Sequence, residues 1–587
     1  RSTQGVSSAA SDVYKRQGPR LTLAGFYRQM GWGCALGCAM GLMALLLSVA
    51  PGLPVGILIV SFVSIWLVAP AVALEASRPP KPKRQLSASP EQNRALRQIA
   101  RETWRYFETF VSPQEHMLPP DNFQEDPKPT IAHRTSPTNI GLYLLAAVSA
   151  RDFGWAGTRA TATRLEQTFD TLATLTRWRG HFYNWYDTRS LQALEPAYVS
   201  SVDSGNFAGH LIALANACDE WQDGVPSPMV RQGLQDTLRL ARRALDDTAT
   251  PGSAHDTAIR SALDGMDRQL EGSRGIAALA PAISHQARKA AHAARTLQPA
   301  ESAADLVFWL EALANAAAEH ASDIRTTATA ADTPDASPPL QANGPLALRL
   351  QALAATARKM AGSMDFAVLL DGQRKLLSIG LRPADHSLDE NCYDLLASEA
   401  RLASLFAIAK GDAPTKHWFR LDRTAIPVGS GSALVSWSGS MFEYLMPSLV
   451  MRAPAGSLLE QTSRLAVQRQ MTYARALRLP WGISESSYNA RDLSLTYQYS
   501  NFGVPGLGLK RGLSDNWVIA PYATGLATMV DLHAACRNFE HLATWGARGR
   551  YGFYEALDFT PQRLPEGETV AIVRSYMACL LYTSPSP

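Results

Sequence analysis

The sequence predicts an all-α fold, an (α/α)6 toroid with a small β-hairpin element, preceded by two transmembrane helices. Apolar residues recur at helical spacing along most of the chain after residue 92. The loops between these stretches collect Trp, Tyr, Asn, Asp and Glu. A toroid needs about twelve helices, and the roughly 480 residues after the linker provide enough chain. Loops at one end of such a rigid scaffold are where a site is expected.

Composition excludes several classes of protein. With 46% hydrophobic and 18% charged residues among 587, the chain is long enough and apolar enough to bury a substantial core. The net charge of +4 comes from scattered Lys and Arg, so nucleic acid is not a predicted partner. The six cysteines match neither a disulfide framework nor a zinc site, and no paired histidines have metal-ligand spacing. We therefore predict that the protein binds neither a metal nor another cofactor. The cysteine usage also predicts a reducing compartment.

Two uncharged runs, residues 31–50 and 55–74, each have about the length that spans a hydrocarbon core. Only "PGLP" separates them, so the chain returns to the side from which it started. Both outer ends carry basic residues: Arg20 and Arg28 before the first run, and Lys81, Lys83 and Arg84 after the second. The positive-inside rule then places both outer ends, and the domain that follows the second run, in the cytoplasm. Buried core helices and a cleaved signal peptide are the alternatives.

The remaining boundaries follow from composition. The ends resemble translated sequencing adaptors, so we expect the natural protein to continue in both directions. The predicted parts are 1–17 and 579–587 as non-native ends, 18–74 as the transmembrane hairpin, 75–92 as a Pro- and Lys-rich linker, and 93–578 as the toroid domain. Residues 226–362 are rich in Ala, Arg and Gln and predict a helical insert on the surface, interrupted by a low-complexity loop.

Helical patterning marks the elements of the toroid. It is found at Asn93–Val111, Asn139–Gly154, Ala162–Trp178, Ala208–Trp221 and Cys392–Asp412. Between the insert and the last of these stretches, "FAVLLDGQRKLLSIGL" (Phe366–Leu381) predicts a β-hairpin that turns at Asp371 and Gly372.

Four clusters of polar and aromatic residues carry the candidate binding site. The candidates are Asn122, Gln124, Glu125, Asp126, Arg134, Ser136 and Asn139 in the first cluster, Tyr183, Trp185, Asp203 and Asn206 in the second, Asp389 and Tyr393 in the third, and Trp437, Tyr488, Tyr497 and Tyr499 in the fourth. Sugars offer apolar ring faces to aromatic side chains and hydroxyls to planar polar groups, so this mixture predicts a glycan cleft. For any one Asp or Asn, the alternative is a hydrogen-bonded loop that ties helices together. The glycine-rich "GLGLKRG" lacks the strand and helix of a nucleotide site.

Chemistry at a glycosidic bond needs two carboxyl groups, one to donate a proton and one to act as nucleophile or base. Three glutamates are candidates. Glu485 follows "PWGIS" and has no basic residue within five positions. Glu399 lies within a predicted helix near Arg401, where an ion pair is the alternative. Glu443 lies at a helix start, where a carboxylate is favoured by the helix dipole whatever its function.

At these residues the chain resembles the cyclic β-1,2-glucan synthases, bacterial inner-membrane proteins that build periplasmic cyclic glucans. The resemblance rests on "TWRYFETFV", "RGHFYNWYDT", "YVSSVDSGNFAGHLIALANAC", "SGSMFEYLMP", "WGISESSYN" and "FGVPGLGLKRGL", and covers the chain from about Arg101 to Ala578. It implies a glucoamylase-like middle domain between an N-terminal glycosyltransferase that uses UDP-glucose and a C-terminal phosphorylase-like domain. Because this sequence has neither a glycosyltransferase signature nor a phosphorylase domain, polymer synthesis is not expected of it alone.

The resemblance implies that the domain closes linear β-1,2-glucan into rings by anomer-retaining transglycosylation. It implies Glu485 as nucleophile and Glu399 as general acid and base, with Glu443 as a substitute. The expected partners are linear β-1,2-glucan, the membrane, and the glycosyltransferase and phosphorylase-like domains of the full-length protein. The expected location is the bacterial inner membrane, multi-pass, with the catalytic domain in the cytoplasm. The alternatives are an inverting endo-β-1,2-glucanase and a non-catalytic module that guides a glucan within a larger synthase.

Overall fold

The computed structural model describes residues 22–47, 53–77, 87–221, 225–248, 254–295, 297, 300–327 and 344–581. The chain forms two compact units, residues 1–85 and 86–587. The predicted adaptor-like start, most of the predicted tail, residues 78–86 of the predicted linker, and most of the low-complexity loop of the insert lie outside the described residues.

The first unit is a pair of helices, α1 (Leu23–Leu47) and α2 (Leu53–Ser77). Both are long and apolar enough to cross a membrane by length and composition, over Leu23–Leu46 and Gly56–Glu75. The first apolar helix thus begins eight residues before the predicted Gly31, because "LAGFYRQM" continues the helix with little charge.

Small residues on α1 let the two helices approach closely. A Cβ atom at Gly37 would lie 2.7 Å from Cγ of Trp66, and one at Gly41 would lie 2.3 Å from Cγ2 of Val63. The Tyr27 hydroxyl also donates to the Leu67 carbonyl at 2.7 Å. This spacing of glycines four residues apart is typical of helix pairs that pack inside a bilayer.

The second unit is mostly helical. Its helices are α3 (Pro90–Phe110), α4 (Pro137–Asp152), α5 (Thr158–Thr174), α6 (Ser201–Glu220), α7 (Ser227–Thr248), α8 (Ala254–Glu271), α9 (Ile276–Ala294), α10 (Ala300–Thr327), α11 (Pro345–Ser363), α12 (Arg401–Lys410), α13 (Met441–Leu445), α14 (Leu458–Leu477), α15 (Pro521–Ala527), α16 (Leu532–Thr544) and α17 (Ala578–Leu581).

Burial separates inner from outer helices of this unit. In α4 nearly every residue from Pro137 to Ala147 is buried, so this helix lies inside the fold. In α5 the buried positions, such as Leu165, Phe169 and Leu172, follow one face only, as expected of an outer helix. Helix α3, buried continuously from Arg101 to Phe107, begins with a capping box, in which the Ser89 hydroxyl accepts from the backbone N–H of the third helical residue.

The predicted insert divides into two parts. Helices α7, α8, α9 and α10 bury apolar side chains in a core of their own, which includes Leu238, Leu263 and Leu310. In contrast, α11 packs through Leu350 and Leu353 into the core that α4, α5 and α6 share. The last helix within the range 226–362 therefore belongs to the main helical body and is not a surface elaboration.

The strands are short and lie at helix ends. They are β1 (Asn122–Gln124), β2 (Thr130–Ile131), β3 (Arg134–Thr135), β4 (Arg177–Trp178), β5 (His181–Phe182), β6 (Tyr186–Asp187), β7 (Val199–Ser200), β8 (Gly380–Arg382), β9 (Ser387–Leu388), β10 (Ala425–Val428), β11 (Gly431–Leu434), β12 (Ser486–Arg491), β13 (Tyr497–Ser500), β14 (Val518–Ile519), β15 (Arg548–Gly549), β16 (Gly552–Phe553), β17 (Ala556–Asp558), β18 (Ala571–Val573) and β19 (Ser575–Met577). They pair antiparallel in three-stranded sheets β19-β1-β2, β7-β8-β9 and β14-β17-β18, and in two-stranded pairs.

Two local predictions need correction. In the predicted hairpin Phe366–Leu381, the turn at Asp371 is present and the Asp371 carboxylate accepts from two turn N–H groups, but Phe366–Leu369 is a 3-10 helix. Across that turn Leu370 pairs antiparallel with Leu377 in a single bridge, and the longer strands β8 and β9 pair with each other further along the chain. The helix predicted over Cys392–Asp412 begins only at Arg401, because the preceding residues pair with other segments in an extended conformation.

Candidate active site

Serine-capped helix N-termini meet at one place in the second unit. The hydroxyls of Ser136, Ser200 and Ser440 cap α4, α6 and α13, and each accepts from the N–H of the residue three positions later. Those N–H groups belong to Asn139, Asp203 and Glu443, all of them candidate site residues. Because helix N-termini carry partial positive charge, their convergence favours carboxylates at this place.

Side-chain hydrogen bonds join these helix ends. The Thr138 hydroxyl donates to Asp203 Oδ1 at 2.6 Å and links α4 to α6. Asn206 Nδ2 donates to Glu399 Oε2 at 3.3 Å and links α6 to the segment before α12. The guanidinium of Arg401 donates to the Glu443 carbonyl at 2.8 Å and links α12 to α13. Asp203, Asn206 and Glu399 are thereby brought together, and Glu399 lies just before a helix, not within one as predicted.

Glu485 lies where the chain enters β12. Gly482, at a φ of 126°, turns the chain, and the Tyr522 hydroxyl then donates to the backbone carbonyl of Glu485 at 2.9 Å. The side chain is held by Tyr499, whose hydroxyl donates to Oε1 at 3.0 Å. Tyr499 reaches this carboxylate because the β12–β13 register pairs it with Ser487.

The two carboxyl groups share one electrostatic environment. Burial, followed by the charge of Glu443, raises the pKa of Glu485 to about 7, while the hydrogen bond from Tyr499 opposes that rise. Burial, followed by the charge of Glu485, raises the pKa of Glu399 well above its usual range. Both residues remain partly solvent accessible. At neutral pH, Glu399 is therefore the better proton donor and Glu485 the more easily ionised group.

Glu443 has a different arrangement. Its carboxylate accepts from the backbone N–H and the hydroxyl of Ser438, the latter at 2.6 Å, and from the N–H of Ser440 at 3.4 Å. Together with the Ser440 cap this forms a capping box. The residue lies close enough to Glu485 to raise its pKa, but its oxygens are held by its own helix start.

Two further candidates lie beside the carboxyl groups. Burial and then the charge of Glu399 raise the pKa of the Tyr393 hydroxyl well above its usual range. Trp437 is 58% exposed, and its backbone carbonyl accepts from the Lys510 N–H at 2.9 Å. The exposed Trp437 ring therefore lies near the start of α13, three residues before the Ser440 cap.

The first sequence cluster forms a polar network at the N-terminus of α4. Asp121 is buried and accepts from Asn139 Nδ2 at 3.0 Å, from Arg134 Nη2 at 3.1 Å and from Asn122 Nδ2 at 3.0 Å. The Arg134 guanidinium also lies 4.9 Å above the ring of Trp185. Arg134 and Trp185 thus present their polar and aromatic surfaces together.

Other candidates are occupied by contacts within the protein. Gln124 donates to the Leu495 carbonyl at 2.9 Å and accepts from the Tyr497 N–H at 3.1 Å, which fixes β1 to the β12–β13 hairpin. The rest of this group has similar internal contacts: Asp126 with Arg491, Glu125 with Tyr554, Asp389 with the Asn391 N–H, Tyr488 with Phe502 and Arg563, and Tyr183 with Tyr186. These polar and aromatic loop residues hold segments together.

Sequence reasoning missed Thr138, Tyr522 and Glu555. Glu555 is buried, accepts from the Ser487 N–H at 3.3 Å, and has a pKa raised to about 8, chiefly by burial. It follows "YGFY" in the sequence, and this aromatic setting is the local signal that could have found it. Thr138 and Tyr522 carry no such signal, because only their neighbours in the fold give them a place in the site.

This arrangement, with Glu399 just before α12 and Glu485 at the start of β12, belongs to a carbohydrate-active enzyme of glucoamylase-like fold. A family model described as "Putative glucoamylase" matches residues 391–579. In structure the chain is similar to the endo-β-1,2-glucanase of Talaromyces funiculosus solved with sophorose, with a TM-score of 0.53 and 10% identity over 84% of this chain and 83% of that one. A mutant of that enzyme solved with β-1,2-glucan gives a TM-score of 0.51 and 11% identity, over 84% and 85% of the two chains. The predicted toroid fold class is confirmed.

In sequence, the chain is similar to the cyclic beta-(1,2)-glucan synthase NdvB of Rhizobium meliloti (strain 1021). The two are 48% identical over 534 residues, which cover 88% of this chain. The chain spans 18% of the length of that curated relative. The resemblance to the cyclic β-1,2-glucan synthases that the motifs predicted is thereby confirmed.

Proposed function

We propose that this domain closes linear β-1,2-glucan into rings by anomer-retaining intramolecular transglycosylation. The observation that carries the proposal is the pair Glu399 and Glu485, two carboxyl groups at one site whose environments separate their tendencies to ionise. The 48% identity to a cyclic β-1,2-glucan synthase supports the choice of β-1,2-glucan as substrate and of a ring as product.

The reaction then has two displacements. Glu485 attacks the anomeric carbon while Glu399 gives its proton to the departing glycosidic oxygen, and a glycosyl-enzyme ester forms as the C–O bond breaks. The ionised Glu399 next takes the proton from a hydroxyl at the chain's own non-reducing end. That hydroxyl attacks the anomeric carbon and releases Glu485, so the configuration is retained and the ring is closed.

Neighbouring groups suit these roles. Tyr499 stabilises the ionised form of Glu485, and Asn206 holds Glu399 by the bond to Oε2. Hydrolysis competes with ring closure whenever water reaches the ester, so the aromatic residues of the site, among them Trp437 and Tyr499, serve to exclude it.

The location completes the proposal. The apolar pair α1 and α2 would anchor the domain in a bacterial inner membrane, within a multi-pass protein that also carries glycosyltransferase and phosphorylase-like domains. The basic residues at both outer ends of the pair support a cytoplasmic catalytic domain. In spheroplasts, protease added outside should leave this domain intact, and its digestion there would contradict the orientation.

The test of function is incubation with linear β-1,2-glucan. Rings without new reducing ends support cyclisation. New reducing ends alone would indicate an endo-β-1,2-glucanase, and binding without either product would indicate a glucan-guiding module.

The roles are tested with azide and an activated aryl β-glycoside. In Glu485→Ala, azide should take the place of the nucleophile in a single displacement and give the α-glycosyl azide. In Glu399→Ala, azide should attack the intact glycosyl-enzyme and give the β-glycosyl azide. The opposite pair of products would reverse the two assignments, and full activity of both variants would refute the pair.

A further inference from the structure

A cleft distinct from the carboxyl pair lies between the insert and the main helical body. It has a volume of about 830 Å³, within the range of ligand sites. We propose that this cleft, here called the outer cleft and lined by Glu102, Arg105, Arg243, Asp305, Arg548 and Arg550, binds a segment of glucan chain. The proposal rests on the proposed function and adds to it a second site for the same polymer.

Three separate parts of the fold build the outer cleft. Helix α3 contributes Glu102 and Arg105, the insert contributes Arg243 from α7 and Asp305 from α10, and the β15–β16 hairpin contributes its arginines. The insert, for which the sequence suggested no role, thus forms one wall of a site whose other wall is the main body.

The polar groups of the cleft are held in fixed positions. Glu102 accepts from Arg243 Nη1 at 2.8 Å and from Arg548 Nη2 at 2.8 Å. Asp305 in the same way contacts Arg105 Nη2 at 2.7 Å and Arg550 Nε at 3.2 Å. Since each guanidinium has five N–H donors, these contacts leave donors for a ligand. Oriented donors and carboxylate acceptors side by side match the hydroxyl groups of a sugar.

The charge of the lining favours a neutral ligand. Glu125 and Asp247 complete the set, so that four arginines face four carboxylates. A site for phosphate or another anion would instead have an excess of cationic groups. Trp309 and Tyr554 also line the cleft, but both are largely buried, so a ligand there meets mainly the polar groups.

The cleft adjoins the catalytic strand. Tyr554 lines the outer cleft, and the next residue, Glu555, accepts from the N–H of Ser487, two residues after Glu485. One chain segment therefore separates the two sites. A glucan long enough to close on itself extends beyond the catalytic groups, and the outer cleft would hold part of that excess length. Binding at two linked sites strengthens the binding of long chains over short ones.

Binding is measured by titration in a Glu485→Gln background, with long linear β-1,2-glucan and with its trisaccharide. The test variant is Arg243→Ala with Arg550→Ala, and the matched control is Arg242→Ala. Arg242 neighbours Arg243 on α7, has a similar exposure of 35% against 40%, and pairs with Asp264 and Asp267 outside the cleft. We expect the affinity for the long chain to fall about tenfold in the double variant, and the affinity for the trisaccharide to stay unchanged in all variants.

An unchanged long-chain affinity, or an equal loss in Arg242→Ala, would overturn the proposal. Competition by millimolar inorganic phosphate would identify an anion site and overturn it as well. If the double variant unfolds, Arg550→Ala alone serves, because it leaves both contacts of Glu102 in place. Since this assay measures binding, wild-type protein that forms no rings would refute the proposed cyclisation without deciding the outer cleft.

Discussion

Replacing Tyr499 with phenylalanine removes one hydroxyl group and leaves the aromatic ring. That hydroxyl donates to Glu485 Oε1 at 3.0 Å and lowers the pKa of the carboxyl group against the effect of burial. The nucleophile must be ionised to attack. Loss of the bond therefore acts on the fraction of enzyme that is competent at a given pH.

The size of the effect follows from the bond. A hydrogen bond to a charged group contributes about 1.5 to 3 kcal/mol. Because the Tyr499 side chain is 43% exposed, water replaces part of it, and we take the lower value of about 1.5 kcal/mol. At 1.36 kcal/mol per unit, the pKa of Glu485, about 7 in the wild-type chain, should rise by about one unit.

The assay is the pH dependence of kcat/KM for ring formation. The acid limb of the profile should move about one unit to higher pH in Tyr499→Phe, with about tenfold lower activity on that limb and little change on the plateau. Tyr497→Phe is the control, since the Tyr497 hydroxyl contacts Arg491 and not the carboxylate. An acid limb that stays in place in Tyr499→Phe would refute the assignment of Glu485 as the ionised nucleophile.

Other changes have expected outcomes of their own. Asn206→Ala removes the bond that lowers the pKa of Glu399, so the basic limb of the kcat/KM profile should move to higher pH, and an unmoved limb would contradict this pairing. Burial raises the pKa of the Glu555 carboxyl group to about 8 in the folded chain, above its value in the unfolded chain. The free energy of unfolding of the wild-type protein therefore falls as pH rises between these two pKa values. Denaturant titrations of Glu555→Gln should therefore show a stability gain over wild type that grows by about 1.4 kcal/mol per pH unit between roughly pH 5 and 8, and a pH-independent difference would exclude the buried acid as the cause. In the membrane unit, Gly37→Leu should separate the helix pair and reduce the protein that stays monodisperse after heating in detergent, whereas Gly31→Leu, which meets nothing within 4 Å, should not; equal losses would argue against the packed pair.

Local sequence patterns predicted a helix correctly where residues within that helix determine its conformation. The stretch Asn93–Val111 forms α3, and Asn139–Gly154 forms most of α4, because the apolar spacing and the serine caps act within a few residues. The prediction of a helix before Arg401 was wrong, because the backbone there pairs with distant segments. Cys392, for example, pairs with Ser378. Propensity gives no information on such a partner.

The polar clusters were informative as groups and unreliable residue by residue. Asp203 and Tyr499 lie at the carboxyl pair, whereas Gln124 is bound to Leu495 and Tyr497. An amide in a loop has the same chemistry whether it meets a sugar or a backbone carbonyl. Its partner is set by the fold, not by its neighbours in sequence.

The sequence by itself determined the helical class, the apolar helix pair and the three candidate glutamates, because periodicity, uncharged length and residue type are local properties. Only the tertiary structure decided which groups surround Glu399 and Glu485. Thr138 meets Asp203 across 65 positions, and Asn206 meets Glu399 across 193. The pKa of a carboxyl group depends on burial and on charges brought near by such contacts, so the environments that distinguish Glu485 from Glu399 exist only in the folded chain.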